Sequence, residues 1–243
     1  GILERGTLKG GTLKPGTLKG GTLKRGTLKR GTLKRGRLEC GKVEKVGKEQ
    51  RAEVFAGWLV ATFGAARLCR GGGVLDVAAG RGDLSAELLR LVNQRERVGG
   101  DSGGNRDLCR LHLHCTLVEP RPRDKTPDIL REAAAATVLA EEFDNPAFAA
   151  RHPGVVGGAS LFVGLHPDQP TEAIVDMALA LGKPFAVVPC CVFPTLFPER
   201  RLATGQRVNG YGGFLRYLCA KHPRIEVAQL GFEGRNRVLY LRG

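Results

Sequence analysis

Residues 73–85 read Gly-Val-Leu-Asp-Val-Ala-Ala-Gly-Arg-Gly-Asp-Leu-Ser: an apolar run broken by one acid, a glycine-spaced turn, and the opening of a helix. Val74 to Val77 suit a strand buried on both faces of a parallel sheet. Gly80 and Gly82 remove side chains where the backbone turns sharply and a ligand must come close. Leu84, Leu88 and Leu91 then recur at helical spacing, so the glycines fall at the strand-to-helix turn of a βαβ unit. A Gly-x-Gly carries meaning in that context and little outside it.

Two cofactor classes use such a turn. A dinucleotide site carries Gly-x-Gly-x-x-Gly, whose third glycine lets the helix pack close to the strand around a pyrophosphate. Ser85 stands at that place. Asp76, just ahead of the turn, is ill placed for a pyrophosphate and well placed for a ligand with an amino group and a sulfonium, which favours S-adenosylmethionine. The segment resembles the first motif of Rossmann-like class I methyltransferases, Asp/Glu-x-Gly-x-Gly-x-Gly, with Ala78 at the first glycine. An alanine fits there on condition that φ stays below zero.

The chain of 243 residues has room for one full domain and an extension. No apolar stretch reaches the roughly 18 residues of a membrane span. The seven cysteines are odd in number and lack the spacing of a small disulfide-bonded domain, which points to reduced thiols inside the cell, with the cytoplasm favoured. The chain opens on Gly1 and not on methionine, so the lack of a targeting peptide carries no weight.

The net charge of +14 is unevenly placed. Residues 1–37 hold eleven Lys or Arg against one acid, Glu4, and so supply +10, leaving +4 for the other 206 residues. From Gly6 to Arg35 the unit Gly-Thr-Leu-Lys-x repeats six times. A period of five matches neither helix nor strand, and one leucine in five residues buries too little to offset chain entropy. Residues 1–46 are therefore expected to form a disordered basic arm, able to hold RNA electrostatically but without sequence readout, and residues 47–243 the folded domain.

Along that domain Phe55, Trp58, Leu59 and Thr62 mark a helix interrupted by Gly57 and ended near Gly64. Strands are expected at Val74–Val77, 111–118, within 133–143, and at 159–165, 185–188, 225–230 and 238–241, with 93–110 an exposed insertion. Pro170 starts a helix whose buried stripe is Ile174, Met177, Ala178 and Leu181, and Gly182 suits its end. A further helix carries Val208, Tyr211, Leu215 and Leu218 on one face. Strands alternating with helices and closing in a hairpin predict a doubly wound α/β fold: a mostly parallel seven-stranded Rossmann-like methyltransferase sheet with a C-terminal antiparallel hairpin.

In open α/β sheets, ligands lie beyond the carboxyl ends of the strands. Four segments end there: the glycine turn, Glu119 at the tip of the second strand where ribose hydroxyls are bound, Gly164-Leu165-His166-Pro167-Asp168, and Pro189-Cys190-Cys191-Val192-Phe193-Pro194. Glu142, near the end of the third strand, is a further acid in this zone. Gly-Leu-His-Pro-Asp-Gln-Pro-Thr-Glu, a helix, then Val-Pro-Cys-Cys, resembles a block in acceptor-stem tRNA 2′-O-methyltransferases and related methyltransferase-domain proteins, over about residues 50–243. Pro167-Asp168 departs from that group's Cys-Gly, and Pro194 from its His-rich run. The resemblance implies Asp76, Gly80, Gly82 and Glu119 as cofactor positions, with the Leu165–Asp168 loop as the floor of the acceptor site; Ala78, Glu142 and Leu165 are further expected cofactor-binding residues.

Methyl transfer needs an in-line nucleophile held close, and a base where the acceptor is a hydroxyl or amine. His166 and Asp168 are the candidate catalytic residues. Against this, His166 reads equally as a turn histidine and Asp168 as a helix N-cap. No metal is expected, since neighbouring cysteines on a strand point to opposite faces and no Cys-x-x-Cys accompanies Cys190 and Cys191. The expected activity is S-adenosylmethionine-dependent methyl transfer to RNA, with no membrane partner and an oligomeric state that the sequence does not define. The competing readings are a catalytically silent RNA-binding or assembly module of the same fold, and a nicotinamide-dependent oxidoreductase, which Ser85 and the terminal hairpin disfavour.

Overall fold

The computed structural model describes residues 45–98, 112–122, 127, 130 and 135–243, with the side chains of 93–98 excepted. The chain divides into two units between Gly41 and Lys42, and every element below belongs to the second. The repeat arm and most of the expected insertion lie outside the described residues.

Seven strands form one sheet: β1 (Val74–Val77), β2 (Cys115–Val118), β3 (Ala136–Leu139), β4 (Leu161–Leu165), β5 (Phe185–Val188), β6 (Glu226–Gln229) and β7 (Arg237–Leu241). Their order is β3-β2-β1-β4-β5-β7-β6. The first five pair in parallel, and β7 runs antiparallel to both β5 and β6. The apolar runs divide their side chains between two cores. Val74, Leu161, Val163, Ala186, Val188, Val238 and Tyr240 pack on one face of the sheet, and Leu75, Val77, Phe162, Phe185, Val187, Leu239 and Leu241 on the other. That alternation is why these strands carry no polar face to read.

Among the described residues the α-helices include α1 (Arg51–Phe63), α2 (Ala65–Leu68), α3 (Asp83–Val98), α4 (Ala147–Arg151), α5 (Pro153–Gly158), α6 (Thr171–Ala180) and α7 (Tyr211–Cys219). α1 and α3 cover the first core, and α6 and α7 the second. Gly57 does not interrupt α1 as expected: Phe55, Ala56, Leu59 and Val60 around it are fully packed, which outweighs the ~1 kcal/mol that a mid-helix glycine costs. The helix stops at Gly64, whose φ of +81° a side chain would resist. α6 ends in a Schellman turn, with Lys183 N–H donating to Ala178 O at 2.8 Å and Gly182 at φ +61°.

Other boundaries differ from the sequence reading. α3 continues to Val98 and so takes the start of the expected insertion, and β2 begins at Cys115 and not at 111. Val208 lies outside α7, whose buried residues are Phe214 and Leu218. Val46, assigned to the arm, bridges to Phe232, with its N–H donating to Gly231 O at 3.0 Å and its carbonyl accepting from Glu233 N–H at 3.0 Å.

One polar clamp fixes the loop after β5. Glu172 of α6 takes hydrogen bonds or ion pairs from Arg200, from Tyr217 of α7 and from Lys221. Arg200, whose side chain is 2% exposed, also donates to Val192 O at 2.9 Å and lies over the rings of Phe197 and Phe214. Residues 189–208 are thus tied to α6 and α7 together.

Candidate active site

The parallel register sets the stage. Asp76 of β1 lies level with Val163 of β4, and Leu165 of β4 with Val188 of β5, so the loops leaving these strands emerge side by side. Four described residues other than glycine have φ between +50° and +55°: Ala78, His166, Asp168 and Phe193. All four fall just past the ends of β1, β4 and β5. A left-handed conformation costs an L residue roughly 1–2 kcal/mol, and such strain gathers at functional sites. The condition set for Ala78, φ below zero, is therefore not met; the chain holds it at +55° against the steric preference of its Cβ.

Within the β1–α3 turn, Ala79 N–H donates to Val118 O at 3.3 Å and Gly82 N–H to Ala79 O at 2.9 Å. Gly80, at φ +60°, donates its N–H to Glu119 Oε2 at 2.9 Å, while Glu119 Oε1 accepts from Arg121 N–H at 3.1 Å. The two expected ribose and turn residues are thus joined directly. A Cβ on Gly80 would meet nothing within 4 Å. A Cβ on Gly82, at φ +84°, would lie 2.5 Å from Leu130 Cδ1 and 2.7 Å from Leu117 Cδ2, so this glycine faces the protein's own core.

Asp76 sits beneath the turn, 1% exposed, and accepts from Ser85 Oγ at 2.8 Å. Burial, opposed by that hydrogen bond and reinforced by the charge of Glu119, pushes its pKa up to about 7. Ser85, which stands where a dinucleotide motif has its third glycine, is therefore the donor that holds this acid to α3. Glu142 is exposed beyond β3; its neighbour Glu141 instead pairs with Arg151 at 2.8 Å and with His152. Leu165 is half-buried at the last position of β4.

Gly164 is required because a Cβ there would meet Ile174 Cδ1 at 2.8 Å and the Pro167 ring at 3.0 Å. His166 N–H donates to Val188 O at 3.0 Å, and its Nε2 is bonded to the carbonyl of Arg235 in the β6–β7 loop at 2.8 Å. A carbonyl only accepts, so Nε2 carries the proton in this contact. Burial holds the imidazole below its usual pKa, the Arg235 carbonyl partly offsetting this.

Asp168 is not the N-cap of α6. That place is held by Pro170, and Asp168 offers only its backbone carbonyl, to Thr171 Oγ1 at 2.8 Å. Its carboxylate turns the other way and accepts from Cys190 Sγ at 2.8 Å. The expectation that Cys190 and Cys191 face opposite ways also fails. β5 ends at Val188, so both residues lie in a loop where strand alternation does not apply, and both sulfurs come within 4.8 Å of an Asp168 oxygen and of each other. Burial first, then the Asp168 carboxylate, pushes Cys190 up to about 12. Asp168 first, then burial, raises Cys191. Sequence reasoning missed Tyr211 and Arg235 here. The Arg235 guanidinium lies 4.9 Å from the Tyr211 ring centroid, and Tyr211 Oη is buried without a hydrogen-bond partner.

The strand order, with a reversed β7 set between β5 and β6, defines an α/β Rossmann-like methyltransferase fold. No family model matches the sequence, and no curated protein does. Solved structures similar to it include fibrillarin of Aeropyrum pernix with natively bound S-adenosyl-L-methionine, at 14% identity and a TM-score of 0.43, covering 78% of this chain and 75% of that one. Magnesium protoporphyrin IX methyltransferase from Synechocystis PCC 6803 with the same ligand bound is similar at 13% identity and a TM-score of 0.45, over 79% of this chain and 77% of that one. The plantazolicin methyltransferase BpumL, in complex with SAH, gives 9% identity and a TM-score of 0.42, over 79% and 81%. At such values the likeness is one of sheet plan, and the fold assignment rests on strand order and direction.

Proposed function

We propose that this chain is an S-adenosylmethionine-dependent methyltransferase acting on RNA. The observation that carries the reading is the gathering of left-handed Ala78, His166, Asp168 and Phe193 at the ends of β1, β4 and β5, beside a glycine turn bonded to Glu119. Ala78, Gly80, Glu119, Glu142 and Leu165 would line the cofactor, and Asp76 and Gly82 would hold the turn from within. The cofactor supplies an activated methyl group when bound, and the protein's task is then to orient the acceptor. His166 and Asp168 stand on the acceptor side, on the loop between β4 and α6. RNA is favoured by the resemblance over about residues 50–243 and by the +10 carried on residues 1–37.

Calorimetry with S-adenosylmethionine, its demethylated product and NADH tests the cofactor; binding of NADH alone overturns the reading. Labelled S-adenosylmethionine with total RNA tests the acceptor. One observation favours a second reading, a silent module of the same fold: the Nε2–H of His166 is spent on the Arg235 carbonyl, leaving Nδ1 as its one basic atom, and the Asp168 carboxylate already accepts from Cys190. Cofactor binding without transfer to RNA, protein or small-molecule pools would decide for that module.

A further inference from the structure

Past the end of β5, three side chains from two loops turn their donor atoms to one point: Asp168 from the β4–α6 loop and Cys190 and Cys191 from the loop after β5. We infer that Asp168, Cys190 and Cys191 form a binding site for a thiophilic divalent cation, zinc, with one coordination position left open. The inference needs neither S-adenosylmethionine nor methyl transfer.

The donor set is two sulfurs and one carboxylate oxygen, all within 4.8 Å of one another. Tetrahedral zinc, with bonds of ~2.3 Å to sulfur and ~2.0 Å to oxygen, places such donors roughly 3.5–3.8 Å apart. Cys190 Sγ and Asp168 Oδ1, now 2.8 Å apart through a thiol hydrogen bond, would move apart as the metal replaced the shared proton. Binding would send the two thiol protons to solvent and leave two thiolates and a carboxylate on the cation, one negative charge in total. Arg235, whose charge reaches Cys191, offsets that excess. Three protein ligands and an open position are the arrangement of catalytic zinc, and closed structural sites have four. Tyr211, its ring under the Arg235 guanidinium, stands near enough for the charge of Cys190 to reach it.

The loops are fixed independently of any metal, Asp168 by the turn from Gly164 to Thr171 and the cysteine loop by the Arg200 clamp on Val192. Substituting the ligands should therefore remove the site before it removes the fold.

The test is cobalt titration of the full chain, reduced with a phosphine and stripped of metal. One equivalent should bind, with the visible bands of tetrahedral cobalt and sulfur-to-cobalt charge transfer in the near ultraviolet. C190S/C191S should abolish both, Asp168→Asn should weaken binding at least tenfold while keeping charge transfer, and Cys219→Ser should change neither. Absence of charge transfer in the unsubstituted chain, its survival in C190S/C191S, or an affinity indifferent to Asp168→Asn would each overturn the site. Should C190S/C191S fail to fold, X-ray absorption of the zinc-loaded unsubstituted chain decides. Two sulfurs with lighter ligands uphold the site, and any other sulfur count overturns it.

Discussion

Asp76 combines a place beneath the proposed cofactor turn with nearly complete burial. Its position ahead of a glycine turn suggested a charged partner for a sulfonium, yet it lies under the turn with a pKa raised to about 7. An acid whose folded pKa lies above its ordinary 3.8 binds more protons folded than unfolded, so its effect is to make stability fall as pH rises from about 4 to about 7. Asp76→Asn should flatten that part of a stability-against-pH curve measured by urea unfolding, and a curve unchanged from that of the parent chain would remove the assignment. The glycines divide in the same way. Gly82→Val should destabilise the fold by roughly 2–5 kcal/mol, because left-handed strain is added to overpacking against Leu117 and Leu130, whereas Gly80→Val should cost roughly 1–2 kcal/mol in backbone strain alone and lose at least tenfold in S-adenosylmethionine affinity by calorimetry. From sequence both are turn glycines. What separates them is which side of the turn faces the core, and that depends on Leu117 and Leu130, neither adjacent in the chain.

At the scale of elements, β1, β4 and β5 were legible because strands buried on both faces are short apolar runs, interrupted here by Asp76 alone, and α6 because proline, stripe and glycine agree. The cysteine loop was not, since alternation was carried past Val188, where the strand had already ended. The Glu172 clamp was also invisible, its partners being 28, 45 and 49 residues away. Glu172→Gln leaves the Arg200 guanidinium in the interior without its carboxylate and should cost about 3 kcal/mol or more by chemical unfolding, a loss near zero showing the clamp to be incidental. Burial raises the pKa of Glu172, but hydrogen bonds from Lys221 and Tyr217 outweigh it and hold the carboxyl below its ordinary 4.5. The clamp's contribution is accordingly complete above that pH and is lost as acid takes the carboxyl through its lowered folded pKa.

For the whole molecule, the charge map separates an arm of +10 from a mildly basic remainder. Deleting residues 1–37 should weaken RNA binding and flatten its dependence on salt, with cofactor affinity untouched, as followed by titration at several ionic strengths. Equal salt slopes for the two chains would reduce the arm to a spacer. The fold class was readable from the alternation of elements and the final hairpin, but the seat of that hairpin was not, because pairing partners are set by three-dimensional order. β7 lies between β5 and β6, and β6 has no other neighbour in the sheet. During synthesis, β5 must therefore wait with an open edge, and β6 with no partner at all, until residues 237–241 leave the ribosome. In that interval β5, an apolar run buried on both faces of the finished sheet, is an edge able to recruit other chains.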